Sequence, residues 1–207
     1  MTKRTLIAAA ICCVGLSTAV QAQDDQMSFF ITSVNPGEGA NLGGLEGADA
    51  YCTALAEAAG IAGKDWTAYL STSAENARGR IGTGPWVNAK GVVVAESVDN
   101  LHDAEGNNLS KETSLSETGD VINGRGDQPN RHDILTGSNA QGMLDGPACG
   151  DWTSAAADGS AMVGHHDRTG GGADPSSWNA AHPSRGCSLE NLRGTGGDGL
   201  FYCFAIN

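Results

Sequence analysis

The sequence predicts a single exported α+β domain, made of one principal helix, several short strands and long irregular loops, and cross-linked by disulfides. Three observations predict it. The chain has 207 residues, and after residue 22 it holds four cysteines: Cys52, Cys149, Cys187 and Cys203. One segment carries helical periodicity, while several short runs are β-branched or aromatic. Between them lie loops dense in glycine, of which the chain has 30.

Residues 1–22 read as a signal peptide. Lys3 and Arg4 give a charged start, Leu6 to Leu16 is an apolar run too short to span a bilayer, and Val20 and Ala22 fit the small-residue cleavage rule, so the mature chain is expected to begin at Gln23. The alternative is a lipoprotein anchored on Cys12 or Cys13. Ile11 and Cys12 precede those cysteines where a small residue is wanted. Residues 23–27 form a short N-terminal segment and 28–207 the domain. No later segment is long and apolar enough to span a membrane. The expected location is secreted or periplasmic.

Loss of residues 1–22 leaves ten Lys+Arg against 24 Asp+Glu, a net charge of −14. Such a surface argues against nucleic acid or anionic lipid as partner and keeps an exported protein soluble. Four cysteines in an oxidising compartment read as two disulfides with three possible pairings.

Ser28 to Val34 (SFFITSV) reads as a first strand, and NPGEGANLGG as a loop. Leu45, Ala48, Cys52, Leu55 and Ala59 follow helical spacing, and Gly60 ends the run. Cys52 thus lies on the apolar face, pointing into the core. Asp65 to Thr72 (DWTAYLST) reads as a second strand with Trp66, Ala68 and Leu70 on one face. Ala74 to Ile81 fits a short helix, and PWVNAKGVVVAES a hairpin about Asn-Ala-Lys-Gly. Asn100 to Asn108 is turn-like. Gly119 to Gly150 is a long loop, ordered by Ile122, Ile134, Leu135, Met143 and Leu144. Met162-Val163 marks a short strand, GHHDRTGGGADPSS a second loop, and Leu200 to Ile206 a final strand. That strand is apolar on both faces and so is expected to be central.

These pieces together resemble the C-type lectin-like fold, in its bacterial endostatin-like or lectin-like branch. The matching features are GGLEGADAYC, WTAYLS, the long loop, C-x-x-W-T-S, the Trp-Asn near the third cysteine, and FYCFA. The resemblance implies a small, mostly antiparallel sheet and the pairs Cys52–Cys203 and Cys149–Cys187. It also implies a non-enzymatic binding module, for a carbohydrate through the loops, with Ca²⁺ optional. The alternative is a metal-free adhesin of the same fold that binds an extracellular surface protein. An enzyme is the third reading, but no nucleophile elbow, H-E-x-x-H or phosphate loop supports it.

Calcium-dependent members carry a Glu-Pro-Asn or Gln-Pro-Asp triplet and a Trp-Asn-Asp triplet. The corresponding residues here are Gln128-Pro129-Asn130 and Trp178-Asn179-Ala180. The resemblance therefore implies ligand binding at Gln128, Asn130, Asp133, Trp178 and Asn179, and a calcium set of Asp127, Gln128, Asn130, Asp133 and Asn179. Ala180 stands where a carboxylate is expected, which weakens that set. Arg125-Gly126-Asp127 spells an integrin-type tripeptide and reads as a loop tie. His132, His165, His166 and His182, with Asp133 and Asp167, have the chemistry of a transition-metal site. They lack H-x-x-x-H spacing, and satisfied loop histidines are the expectation. Trp66 and Trp152 read as core residues, with Trp178 less committed.

Overall fold

The computed structural model describes residues 26–206. The expectations of a signal peptide, of cleavage before Gln23 and of lipid attachment at Cys12 or Cys13 fall outside them. The chain is a mixed α+β domain organised around its last strand. In order it runs β1 (Phe29–Ile31), α1 (Gly44–Ala58), β2 (Trp66–Ala68), α2 (Ala77–Arg80), β3 (Trp86–Val87), β4 (Val93–Ala95), α3 (Val98–His102), β5 (Asp133–Leu135), α4 (Cys149–Trp152), β6 (Met162–His165), β7 (His182–Pro183), α5 (Leu189–Thr195) and β8 (Gly197–Ala205).

β8 is buried along its whole length. Its C-terminal half pairs antiparallel with β1 on one side and β2 on the other, and its N-terminal half pairs parallel with β5. β5, β6 and β7 then continue the sheet antiparallel. The first and last strands of the domain therefore lie side by side. A separate hairpin, β3–β4, turns at Asn88 to Gly91 as its sequence requires.

The pleat of β8 divides the interior in two. Phe201, Cys203 and Ala205 join α1, Trp66 and Trp152 in one core; Leu200, Tyr202 and Phe204 join Phe29, Tyr69, Trp86 and Trp178 in the other. α1 presents Ala48, Cys52 and Ala56 to the first core. Cys52 is thereby brought onto β8, where it bonds Cys203 with Cα atoms 5.7 Å apart. Cys149 bonds Cys187, also at 5.7 Å.

The segment Cys149–Trp152 is a single left-handed turn. Its φ angles are 48° at Cys149, 62° at Gly150, 53° at Asp151 and 66° at Trp152. Non-glycine residues adopt that conformation at a cost of about 1–3 kcal/mol each. Three ties hold it: the disulfide, the Trp152 Nε1–H donated to the Ser71 carbonyl at 2.8 Å, and the Asp151 carboxylate accepting from Ser73 N–H at 2.9 Å and Ser73 Oγ–H at 2.5 Å.

β1 and β2 are shorter than the sequence suggests, three residues each, whereas β6 runs two residues past Val163, β8 begins at Gly197, and β5 lies within the stretch read as one long loop. α3 covers part of the turn-like stretch from Asn100, and α5 is a short helix with no counterpart in the sequence reading.

Candidate metal centre

β5, β6 and β7 are neighbours, and the site is built where they run together. Asp133 opens β5 and stands opposite His165, the last residue of β6. His182 opens β7 opposite Val163, two residues before His165 and on the same face of β6. His132 directly precedes β5, so strand alternation does not turn its ring away from Asp133.

These side chains converge on one carboxylate oxygen. Asp133 Oδ1 lies 3.0 Å from His132 Nε2, 3.3 Å from His165 Nε2 and 3.6 Å from His182 Nε2. His165 Nε2 and His182 Nε2 are 3.1 Å apart, and the His132 and His165 rings stack with centroids 4.2 Å apart. Nitrogen or oxygen ligands about 2.0–2.1 Å from a tetrahedral zinc stand about 3.3–3.4 Å from one another. The observed separations lie around that value. His132, Asp133 and His165 group most tightly, with ligand atoms mutually within 4.8 Å.

The outer nitrogens are fixed. His165 Nδ1 lies 2.9 Å from the Pro175 carbonyl, His182 Nδ1 3.1 Å from the Pro183 carbonyl and His132 Nδ1 3.4 Å from Asp167 Oδ1. Each partner is an acceptor, and in the tautomer that carries the proton on Nδ1 each Nε2 would offer a lone pair inward. Metal-ligating histidines are held in this way.

The centre is sequestered. Asp133 is 3% exposed and His165 fully buried, whereas the His182 side chain is 20% exposed and forms the outer wall. Neither oxygen of Asp133 receives a hydrogen bond of acceptable geometry, although three imidazoles stand at ion-pair distance. A buried carboxylate in that condition lacks the compensation that buried charges require. A cation held among these side chains would supply it.

Glycines close the site. A Cβ on Gly170, which has φ +137°, would fall 2.7 Å from His165 Cε1 and 3.0 Å from His132 Cε1. A Cβ on Gly196 would fall 3.1 Å from both His132 Nε2 and Asn130 Nδ2. The backbone of the 167–176 loop is thus laid directly on the imidazoles.

Electrostatics around the cluster are uneven. Burial lowers the His165 pKa, but the close approach of the Asp133 carboxylate, the hydrogen bond to the Pro175 carbonyl and the Asp133 and Asp167 charges outweigh it, and the net shift is upward. Burial pushes Asp167 up, yet hydrogen bonds from His132 and from the Arg125 and Thr169 N–H groups bring it well below the carboxylate range. His166 points away from the cluster, its Nε2 3.2 Å from the Asn123 carbonyl, and burial depresses it to about 4.

The other residues singled out in the sequence lie apart from this centre. Asp127 accepts from Lys111 Nζ at 2.5 Å and from the Gly124 N–H at 2.8 Å, which makes the Arg125-Gly126-Asp127 stretch a loop tie. Gln128 is exposed and Asn130 half-buried, on the wall of an open cleft. Trp178 and Asn179 are in the interior. Trp178 packs on Tyr69 and Tyr202, and the Asn179 amide donates to Tyr69 Oη and the Asn139 carbonyl. The six residues named for ligand or calcium binding are thus distributed over four places: Asp127 at Lys111, Gln128 and Asn130 at the cleft, Trp178 and Asn179 in the core, and Asp133 at the histidines. The histidines themselves are not separate loop residues with unrelated partners. Three of the four face one carboxylate.

Compared with known proteins, the chain matches no family model and no curated protein.

Proposed function

We propose that this chain is an exported, non-enzymatic binding module of the C-type lectin-like class, in which one zinc-type metal ion clamps the two loops that carry the ligand face. His132, Asp133, His165 and His182 would hold the ion. The observation that carries the reading is the convergence of three Nε2 atoms on a buried Asp133 oxygen that has no hydrogen bond of its own.

The donor set favours this class of metal. Three imidazoles and one carboxylate suit zinc or a neighbouring transition ion, whereas calcium takes six to eight oxygens. When bound, the ion supplies a cross-link between strands and no redox chemistry. His132, Asp133 and His165 form the tight group and His182 approaches from the exposed side; with His182 bound the tetrahedral shell would be closed, the pattern of structural sites, whereas catalytic ones keep a position open. The cross-link joins the 119–139 loop, through His132 and Asp133, to both ends of the 164–182 loop, through His165 and His182. These are the loops on which the resemblance puts recognition.

Two bonded cysteine pairs fit an extracellular or periplasmic compartment. No helix among the described residues is long and apolar enough to cross a membrane. The sheet closed by the first and last strands, the helix tied to β8 and the long loops support the lectin-like class.

The test is metal content and linkage. Protein produced with both disulfides formed is expected to retain about one zinc per chain. Stripping it should lower the melting temperature by on the order of 10 °C, since zinc present at a thousandfold over its dissociation constant contributes about 4 kcal/mol. Calcium should restore none of the loss. A folded protein that carries no metal, and whose melting temperature neither zinc nor chelator moves, contradicts the proposal.

A further inference from the structure

Beside the histidine cluster lies an open cleft of about 430 Å³, with Gln128 to Arg131 on one wall and Arg193, Gly197 and Asp198 on the other. Its volume falls within the roughly 300–1,000 Å³ of small-ligand sites. Asp198 is 7% exposed and holds two guanidinium groups at once. Its Oδ2 is 3.0 Å from Arg131 Nε, and its Oδ1 is 2.6 Å from Arg193 Nε. Both arginines therefore turn Nε toward Asp198, Arg193 in a hydrogen bond and Arg131 at ion-pair distance. Among the described residues, no protein group accepts from their terminal Nη atoms.

This arrangement differs from the chain's other cation pairs. Arg78 meets Asp99, Lys111 meets Asp127, and Arg80 lies between Asp49 and Glu75, so each of those cations has at least one carboxylate to itself. At the cleft two cations share one anion, which leaves a local excess of +1 on a chain whose formal charge is −12. Glu190, exposed one turn earlier on α5, makes no ion pair with either arginine among the described residues.

We infer that the cleft is a binding site for a carboxylate-bearing sugar. The Nη edges of Arg131 and Arg193, held in place by Asp198, take the carboxylate, and the side-chain amides of Gln128 and Asn130 take ring hydroxyls. A planar carboxylate matches a guanidinium edge through two parallel hydrogen bonds, and an amide offers both donors and an acceptor to neighbouring hydroxyls. The inference rests on the binding-module reading of this face, and needs no ligand contact with the metal. The two sites meet at Gly196, packed against both Asn130 and His132.

The experiment is a calorimetric titration of the full oxidised protein with digalacturonate, its dimethyl ester and a sulfated disaccharide, with zinc content measured on every sample. Digalacturonate should bind saturably. The ester should bind at least about tenfold more weakly, the loss of one charge-assisted pair. Arg193→Gln should weaken the acid by a similar factor with zinc content unchanged, and Arg131→Gln, its guanidinium on the opposite wall, provides a second variant should the first fail to fold. Equal binding of acid and ester, tighter binding of the sulfated sugar, or no saturable binding to zinc-loaded protein overturns the inference. Binding of the acid by protein that carries no zinc upholds the cleft and contradicts the metal reading instead.

Discussion

Asp133 sets the terms at the scale of single residues. Its carboxylate is buried among imidazoles, where the proposed cation would share the space. Asp133→Asn keeps the shape and removes the charge, so zinc affinity should fall by well over tenfold; a zinc competition assay with a chromogenic chelator reads this directly. Asp167→Asn leaves every ligand atom in place but weakens the hold on His132 Nδ1, and should cost about 10–100-fold in the same assay. Gly170→Ala puts a methyl group where the His165 and His132 rings already are. It should abolish tight zinc binding while leaving both disulfides formed.

A second residue-scale outcome concerns His102, far from these ligands in the chain. Its Nδ1 lies 2.7 Å from the Val98 carbonyl, and its Nε2 accepts from the Tyr69 hydroxyl at 2.8 Å. Burial keeps that hydroxyl protonated well above its ordinary range, and burial likewise lowers the His102 pKa. The unfolded chain, with a histidine pKa of about 6.5, then takes up a proton before the folded one does. Stability from this group is complete above about pH 6.5 and is lost as pH falls toward the lowered folded value. Urea unfolding of metal-free protein at pH 7.5 and pH 5.5 should show a larger acid loss for the native chain than for His102→Gln.

At the scale of elements, the left-handed turn and the last strand teach different lessons. The turn at Cys149–Trp152 is held by specific ties, so its parts can be separated by substitution. Asp151→Ala loses the Ser73 contacts and keeps an unfavourable φ, at a cost of about 2–3 kcal/mol; Asp151→Gly loses the same contacts but relaxes the backbone, and should cost about 1 kcal/mol less. Urea midpoints decide it. β8 was legible from its sequence, because a run apolar on both faces can only be interior. α1 was legible from its period, and the β3–β4 hairpin from its turn. α5 was not: its seven residues, LENLRGT, are too few to establish a helical period, and only Leu192 is buried.

The metal centre was hidden for a related reason. Spacing rules find ligands that come from one helix or one loop. Here they come from the edges of three strands, and sheet pairing, not sequence separation, sets their distances. The available signal lay in strand length. Ending the strand at Met162-Val163 leaves His165 in a loop, whereas two more residues carry it to the end of β6, on the face of Val163 and across from Asp133. The cleft was half visible, since Gln128 and Asn130 were singled out. Arg193 and Asp198 were not, because the helix that carries one and the strand that carries the other are joined only in the fold.

For the whole molecule, two disulfides and the proposed metal clamp divide the work. Cys52–Cys203 closes a separation of 151 residues and Cys149–Cys187 one of 38. Chain-entropy arguments put them at about 5 and about 4 kcal/mol. The first ties helix to sheet and the second ties the turn to the segment just before α5, but neither reaches β5, β6 or β7 at the loop end. On the proposed reading, that end depends on the histidine cluster. Removing zinc should therefore loosen residues 119–132 and 166–181 and spare α1 and β8, with hydrogen exchange as the readout.

The most direct measurement is X-ray absorption at the zinc edge of the purified, oxidised protein. The account expects one zinc coordinated by three imidazole nitrogens and one carboxylate oxygen, all at about 2.0–2.1 Å. A shell of oxygens alone, or fewer than two imidazoles, would contradict it.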